Sequence, residues 1–143
     1  MRVSELMHTP AVTCTPTARL GEVARLMRDR NVGSVLVVDQ IGYLTGIVTD
    51  RDITVRGMGE GRSADVEVEH VMSRDVVTVS AHADVSDAIA VMGKHVVRRL
   101  PVVDEEDRPH GVVTFDDVVR HVGTQTDALA DMVVLQATRL SSH

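Results

Sequence analysis

This chain carries one pattern twice, and the duplication limits it to folds built from two like units. Displaced by about 65 residues, the halves align without a gap. Val3 falls on Val68, Met7 on Met72, Val12-Thr13 on Val77-Thr78, Met27 on Met92, and Val37-Val38-Asp39 on Val102-Val103-Asp104. The longest coincidence sets Gly46-Ile47-Val48-Thr49-Asp50-Arg51-Asp52 against Gly111-Val112-Val113-Thr114-Phe115-Asp116-Asp117. A duplicated unit that packs on its copy about a pseudo-twofold axis generates paired clefts. A polar motif present in both halves therefore points to paired ligand sites rather than to one active centre.

Each half is too small to be more than marginally stable alone, so the pair is expected to be the folding unit. We divide the 143 residues into a first repeat with its linker (1–62), a second repeat (63–123) and a C-terminal helical extension (124–143). The net charge of −6 disfavours nonspecific attachment to nucleic acid, and one Phe, one Tyr and no Trp leave almost nothing on which bases could stack. Cys14 is the only cysteine, so an intramolecular disulfide is impossible, which suits a reducing cytoplasm. The N-terminus has no apolar signal core, and no apolar run approaches the ~20 residues of a membrane span.

The order within a repeat reads β-α-β-β-α. Val12-Thr13-Cys14 is a short strand. Leu20, Val23, Ala24, Leu26 and Met27 recur at helical spacing, with Thr17 as the expected cap. Val35 to Val38 is a buried strand, Asp39 to Gly42 a turn, Tyr43 to Thr49 a second strand, and a helix follows from Asp50 to about Met58. In the second copy, Val76 to Val79 is the short strand. A helical stripe of Val85, Ala88, Ile89, Val91 and Met92 follows, with Asp84 near its start. Leu100 to Val103 and Gly111 to Thr114 are strands, and Asp116 to about Val122 is a helix. Gly59 to Ser63 is a polar, flexible link. Thr126 to Leu140 reads as an extra helix with a mixed stripe of Leu129, Met132, Val133, Gln136 and Leu140, expected to pack on the module or on a partner copy.

The repeated Gly–apolar–apolar–Thr–x–x–Asp string joins a buried strand to a helix. A glycine there permits a tight turn or a close backbone approach. Free N–H groups at a helix start attract phosphate, and a carboxylate three residues past the Thr is suited to accept two hydrogen bonds from a ribose diol. In a single copy, plain capping by Thr49 or Thr114 is the better explanation. Two copies, together with Arg98-Arg99 immediately before an apolar strand, favour a ligand. Paired guanidinium forks match phosphate oxygens, although arginines there also suit a solvated helix end.

Together, Gly-Ile-Val-Thr-Asp-Arg-Asp and Arg-Arg-Leu-Pro-Val-Val-Asp make residues 3–122 resemble a tandem pair of cystathionine-β-synthase (CBS) domains, a Bateman module. The resemblance implies an α+β fold of two β-α-β-β-α repeats about a pseudo-twofold axis. It implies no catalysis. The expected ligand is an adenine nucleotide such as AMP, ADP or ATP, and some such modules take S-adenosylmethionine or NAD, or no ligand. It implies a homodimer and an unidentified regulated protein. Family geometry pairs the copies crosswise: Thr49 and Asp52 with Val77, Arg98, Arg99 and Pro101, and Thr114 and Asp117 with Val12, Gly33, Ser34 and Leu36. Gly33-Ser34 replaces Arg98-Arg99 in the second set, which should therefore hold phosphate more weakly.

Other chemistry finds little footing. The histidines at 8, 70, 82, 95, 110, 121 and 143 show no ligand-like spacing, so no dedicated metal site is expected, though His95 lies one helical turn before Arg98. Cys14 has no histidine to activate it and reads as a core or cleft-wall residue. Met27 and Met92 read as core filler, and Asp50, Asp52, Asp116 and Asp117 suit binding and capping better than acid–base work. The expected function is ligand sensing. The rival is a nucleotide-free interaction module that has kept the fold.

Overall fold

The β-α-β-β-α order is realised in both halves of the computed structural model, which describes residues 1–123 and 127–141. In chain order the elements are α1 (Val3–Leu6), β1 (Thr13–Cys14), α2 (Leu20–Arg30), β2 (Ser34–Val38), β3 (Leu44–Thr49) and α3 (Asp50–Asp52). There follow β4 (Val79–Ser80), α4 (Val85–His95), β5 (Arg99–Val103), β6 (Pro109–Thr114), α5 (Phe115–Val122) and α6 (Asp127–Ser141). The fold class is α+β, with two three-stranded sheets ordered β1-β2-β3 and β4-β5-β6. The short first strand of each sheet runs parallel to the second, and β2 runs antiparallel to β3.

Two compact units form, and they run out of step with the sequence repeats. One takes Pro10–Val76 with Glu105–Pro109. The other takes Met1–Thr9 and Val77–Asp104 together with the chain from His110 onward. Residues 1–9 thus complete the unit that holds the second repeat, and residues 63–76 complete the unit that holds the first. The docking is the same in both. Ser73 exchanges two backbone hydrogen bonds with Ile47 at 2.9 and 3.0 Å, and His8 does so with Val112 at 2.9 and 3.1 Å. Val68 and Val3, counterparts in the duplication, are each fully buried in their own core. The first core gathers Leu20, Val23, Met27, Val35, Val37 and Val48 around Val68, Val71 and Met72. The second gathers Val79, Ala88, Met92, Leu100, Val113 and Val118 around Val3.

Three local features depart from the sequence reading. The helix α2 is not capped by Thr17, whose hydroxyl meets that of Thr15 at 3.3 Å. It starts at Leu20 because the amides of Leu20 and Gly21 donate to the carbonyls of Val66 and Ala64, so backbone satisfies the free N–H groups. The strand expected at Val76 to Val79 forms only at Val79–Ser80. In β2 the Leu36 amide donates to the Val12 carbonyl at 3.0 Å, whereas the counterpart of Leu36 is Pro101, which has no N–H to offer Val77. Finally, the helix from Asp50 is α-helical for one turn only. It widens into a π-helix at Ile53–Gly57 and tightens to a 3₁₀ turn at Met58–Glu60. Three consecutive β-branched residues, Ile53 to Val55, and a Thr54 hydroxyl bonded to the Asp50 carbonyl at 3.0 Å disfavour regular α geometry there. The expected link closes with Gly61 at φ +76°.

The extra helix exists as α6. Val133 is buried against the core of its unit and Ala137 packs on it, while Met132, Val134 and Leu135 are exposed. The expected start at Thr126 and the side chains of Leu129 and Leu140 lie outside the described residues.

Candidate functional site

In both units the Thr-x-x-Asp string folds into a reciprocal box at the strand-to-helix junction. The Asp52 amide donates to Thr49 Oγ1 at 3.1 Å, and the Thr49 amide donates to Asp52 Oδ2 at 2.9 Å. Likewise the Asp117 amide donates to Thr114 Oγ1 at 3.2 Å, and the Thr114 amide donates to Asp117 Oδ2 at 3.0 Å. Capping is thus real in both copies, and it uses only one oxygen of each carboxylate.

The second oxygen separates the copies. Asp52 is half-buried, and its Oδ1 has no hydrogen-bond partner among the described residues. Asp117 is 8% exposed, and its Oδ1 meets His8 Nε2 at 3.0 Å and Arg120 Nη2 at 3.5 Å. The Thr114 hydroxyl also donates to Asp117 Oδ2 at 2.7 Å. Burial pushes the Asp117 carboxyl up. Hydrogen bonds from the Thr114 hydroxyl and amide and from His8, with the His8 charge, outweigh it and hold the group below the usual carboxylate range. The first copy has Ser73 and Val55 at the positions of His8 and Arg120, so nothing comparable reaches Asp52.

Each box is tied to the segment before the middle strand of its own sheet. The Asp50 amide donates to the Gly33 carbonyl at 3.0 Å, and Ser34 pairs with Thr49 across the sheet. The Phe115 amide donates to the Arg98 carbonyl at 2.7 Å. The Arg98 guanidinium lies 4.9 Å from the Phe115 ring centroid and donates to Asp116 at 3.4 Å. Arg99, half-buried at the start of β5, has no side-chain hydrogen-bond or ion-pair partner among the described residues. Val12 and Val77 are half-buried ahead of the short strands, and Leu36 and Pro101 are buried in the middle strands. Each unit therefore brings its own Thr, its own Asp and its own pre-strand pair together.

The glycine that opens each string is held by close approach, not by a turn. A Cβ on Gly46 would stand 2.6 Å from Met72 Sδ and 2.9 Å from the Ser73 carbonyl oxygen. A Cβ on Gly111 would collide with the His8 carbonyl oxygen and stand 3.0 Å from Met7 Sδ. Those segments carry His8, weighed in the sequence only as a metal ligand, and Ser73, which the sequence reading passed over. The duplication held the signal, since His8 falls on Ser73. The sequence reading set His70 aside as a metal ligand, and the structure places it with Glu67 and Glu69, the ligand atoms of the three lying within 4.8 Å of one another. His95 sits exposed at the end of α4. Cys14 packs half-buried against the first core, and burial, with the Glu22 charge, pushes its thiol up to about 11, far from a nucleophile's range.

Comparisons with known proteins find the same family and fold. The family model described as the CBS domain matches residues 3–58 and again 68–124. A CBS domain-containing protein of Bacillus subtilis, YhcV, is 38% identical over 116 residues, which cover 81% of each chain. The crystal structure of the CBS domain pair of protein MJ0100, in complex with 5′-methylthioadenosine and S-adenosyl-L-methionine, superposes with a TM-score of 0.80 at 27% identity. That superposition covers 88% of this chain and 98% of the other. The structure of Hypoxic Response Protein I with two coordinated zinc ions gives a TM-score of 0.76 at 28% identity, covering 85% and 98%.

Proposed function

Since this chain belongs to the CBS-domain family, we propose that it is a non-catalytic regulatory module that binds an adenine nucleotide of the AMP, ADP or ATP type and signals by a change of conformation. The observation that carries the reading is the Thr-x-x-Asp box built in both units, with Asp52 keeping one carboxylate oxygen unpaired. Such an oxygen is what a ribose diol needs, and an unpaired Arg99 is what a phosphate needs. The adenosine compounds in the MJ0100 structure support the same ligand class.

The residues proposed for the stronger site are Thr49 and Asp52 with Val77, Arg98, Arg99 and Pro101. Those for the weaker site are Thr114 and Asp117 with Val12, Gly33, Ser34 and Leu36. A ligand shifts a conformational equilibrium only by its differential affinity for the two states, so the signal is a change of packing passed to a homodimer partner or a regulated protein. The lone Cys14 suits a reducing, cytoplasmic setting. Among the described residues no helix is long and apolar enough to cross a membrane.

A nucleotide-free interaction module is the second reading, favoured by the exposed Met132, Val134 and Leu135 on α6. Calorimetric titration of the protein with AMP, ADP, ATP, NAD and S-adenosylmethionine separates the two. The sensor reading expects binding by at least one, weakened roughly tenfold or more in Asp52→Ala. A folded protein that binds none of them belongs to the second reading.

A further inference from the structure

We infer that His8 is the residue that sets ligand affinity at the Asp117 box, by holding the carboxylate oxygen a diol would need. The inference rests on the adenosine reading above and extends it to a residue outside the repeated motif.

The geometry is specific. His8 is anchored by its backbone, which exchanges hydrogen bonds with Val112 at 2.9 and 3.1 Å, and the next residue, Thr9, donates its hydroxyl to the His110 carbonyl at 3.0 Å. The imidazole is therefore delivered to Asp117 Oδ1 by a fixed main chain, at 3.0 Å. The ring itself is 70% exposed, so it can swing into water without disturbing the backbone that carries it. Asp117 cannot move to compensate, because its Oδ2 is held by the Thr114 amide and hydroxyl. A diol arriving at Oδ1 must displace the ring or share the oxygen with it. Ser73 is held against Ile47 by the same backbone pairing and leaves Asp52 Oδ1 open. The closer of the two contacts that distinguish the Oδ1 atoms thus comes from His8, where the other copy has Ser73 in the same docked backbone.

The imidazole at 3.0 Å already engages the oxygen that a diol hydroxyl would use. The other side chain at Oδ1 is Arg120, on the same helix, at 3.5 Å. At the start of that helix Asp116 is engaged by Arg98 at 3.4 Å.

The test has two arms. The first needs no ligand: carbon-13 NMR titration of the Asp117 carboxyl in the wild type and in His8→Ala. The His8 contact predicts that the midpoint moves up in His8→Ala, and an unmoved midpoint overturns it. The second arm uses Asp52→Ala, which leaves only the Asp117 box, titrated calorimetrically with AMP and S-adenosylmethionine. Adding His8→Ala should tighten binding roughly two- to fivefold, the range of an exposed ion pair. Adding His8→Gln, which keeps a donor at that position, should tighten binding less than His8→Ala does. Unchanged or weaker binding in Asp52→Ala/His8→Ala overturns the inference. If the NMR midpoint moves but no variant binds either compound, the adenosine reading fails and takes the ligand side of the inference with it, while the His8–Asp117 pair stands.

Discussion

The Arg98 carbonyl accepts a 2.7 Å hydrogen bond from the Phe115 amide, which fixes Arg98 beside the start of α5 in its own unit. Its guanidinium rests over the Phe115 ring and pairs with Asp116, so Arg98 is already employed. Arg99 is not. The pair of arginines that looks equivalent in sequence is therefore unequal in the fold.

That inequality predicts different losses. Arg99→Ala should remove most of the preference for AMP over adenosine, because an unpaired guanidinium gives up little to engage phosphate. Arg98→Ala should have the smaller effect, since phosphate must compete with Asp116. Charge-assisted hydrogen bonds set the scale at about 1.5–3 kcal/mol, or roughly tenfold or more in affinity, for Arg99→Ala. Calorimetry with AMP and adenosine on both variants checks it. Equal losses would show that both arginines act as one clamp.

Asp117 couples stability to acid. Its folded carboxyl is held below its ordinary value, so its ionised form contributes stability that is full above the unfolded value near pH 4. That contribution is lost as pH falls through the folded value. Asp117→Asn should therefore destabilise the protein by about 1–3 kcal/mol at pH 7, and the difference from the wild type should fade toward the acid limit. Urea unfolding between pH 3 and 7 reads this directly. A difference that stays constant with pH would assign the loss to packing.

Gly46→Ala and Gly111→Ala probe the docking of residues 63–76 and 1–9. Each new Cβ meets backbone as well as a methionine side chain, and the backbone cannot yield cheaply because it is paired with Ile47 or Val112. Overpacking of this kind costs about 1–3 kcal/mol. Chemical denaturation should show both variants destabilised, with Met72→Ala partly relieving Gly46→Ala. Gly42→Ala meets no atom within 4 Å, so its cost comes only from the backbone, at φ +101°.

Much of this was legible in the residues. Periodicity located the strands and helices, and the duplication located the Thr49–Asp52 and Thr114–Asp117 boxes. What periodicity could not reveal were long-range backbone partners. Leu20 begins α2 because Val66 supplies a carbonyl, not because a hydroxyl stands nearby. Pro101 delays β4 through a missing amide on a neighbouring strand. His8 reaches Asp117 across 109 residues of chain, a distance that no local motif spans.

The last prediction turns on Asp52 itself. Its Oδ1 has no partner among the described residues, so a diol bound there would gain hydrogen bonds without displacing any. Removing one hydroxyl from the ligand should then cost about 1.5 kcal/mol or more, which is roughly tenfold, at a charged acceptor. Titrating the wild type and Asp117→Ala with AMP and 2′-deoxy-AMP measures it. In Asp117→Ala the ribose preference should persist, because Asp52 keeps its open oxygen. In Asp52→Ala it should shrink, because His8 already occupies part of the remaining acceptor. Equal affinity for ribose and deoxyribose in the wild type would remove Asp52 from the role of diol acceptor and leave the box as a helix cap alone.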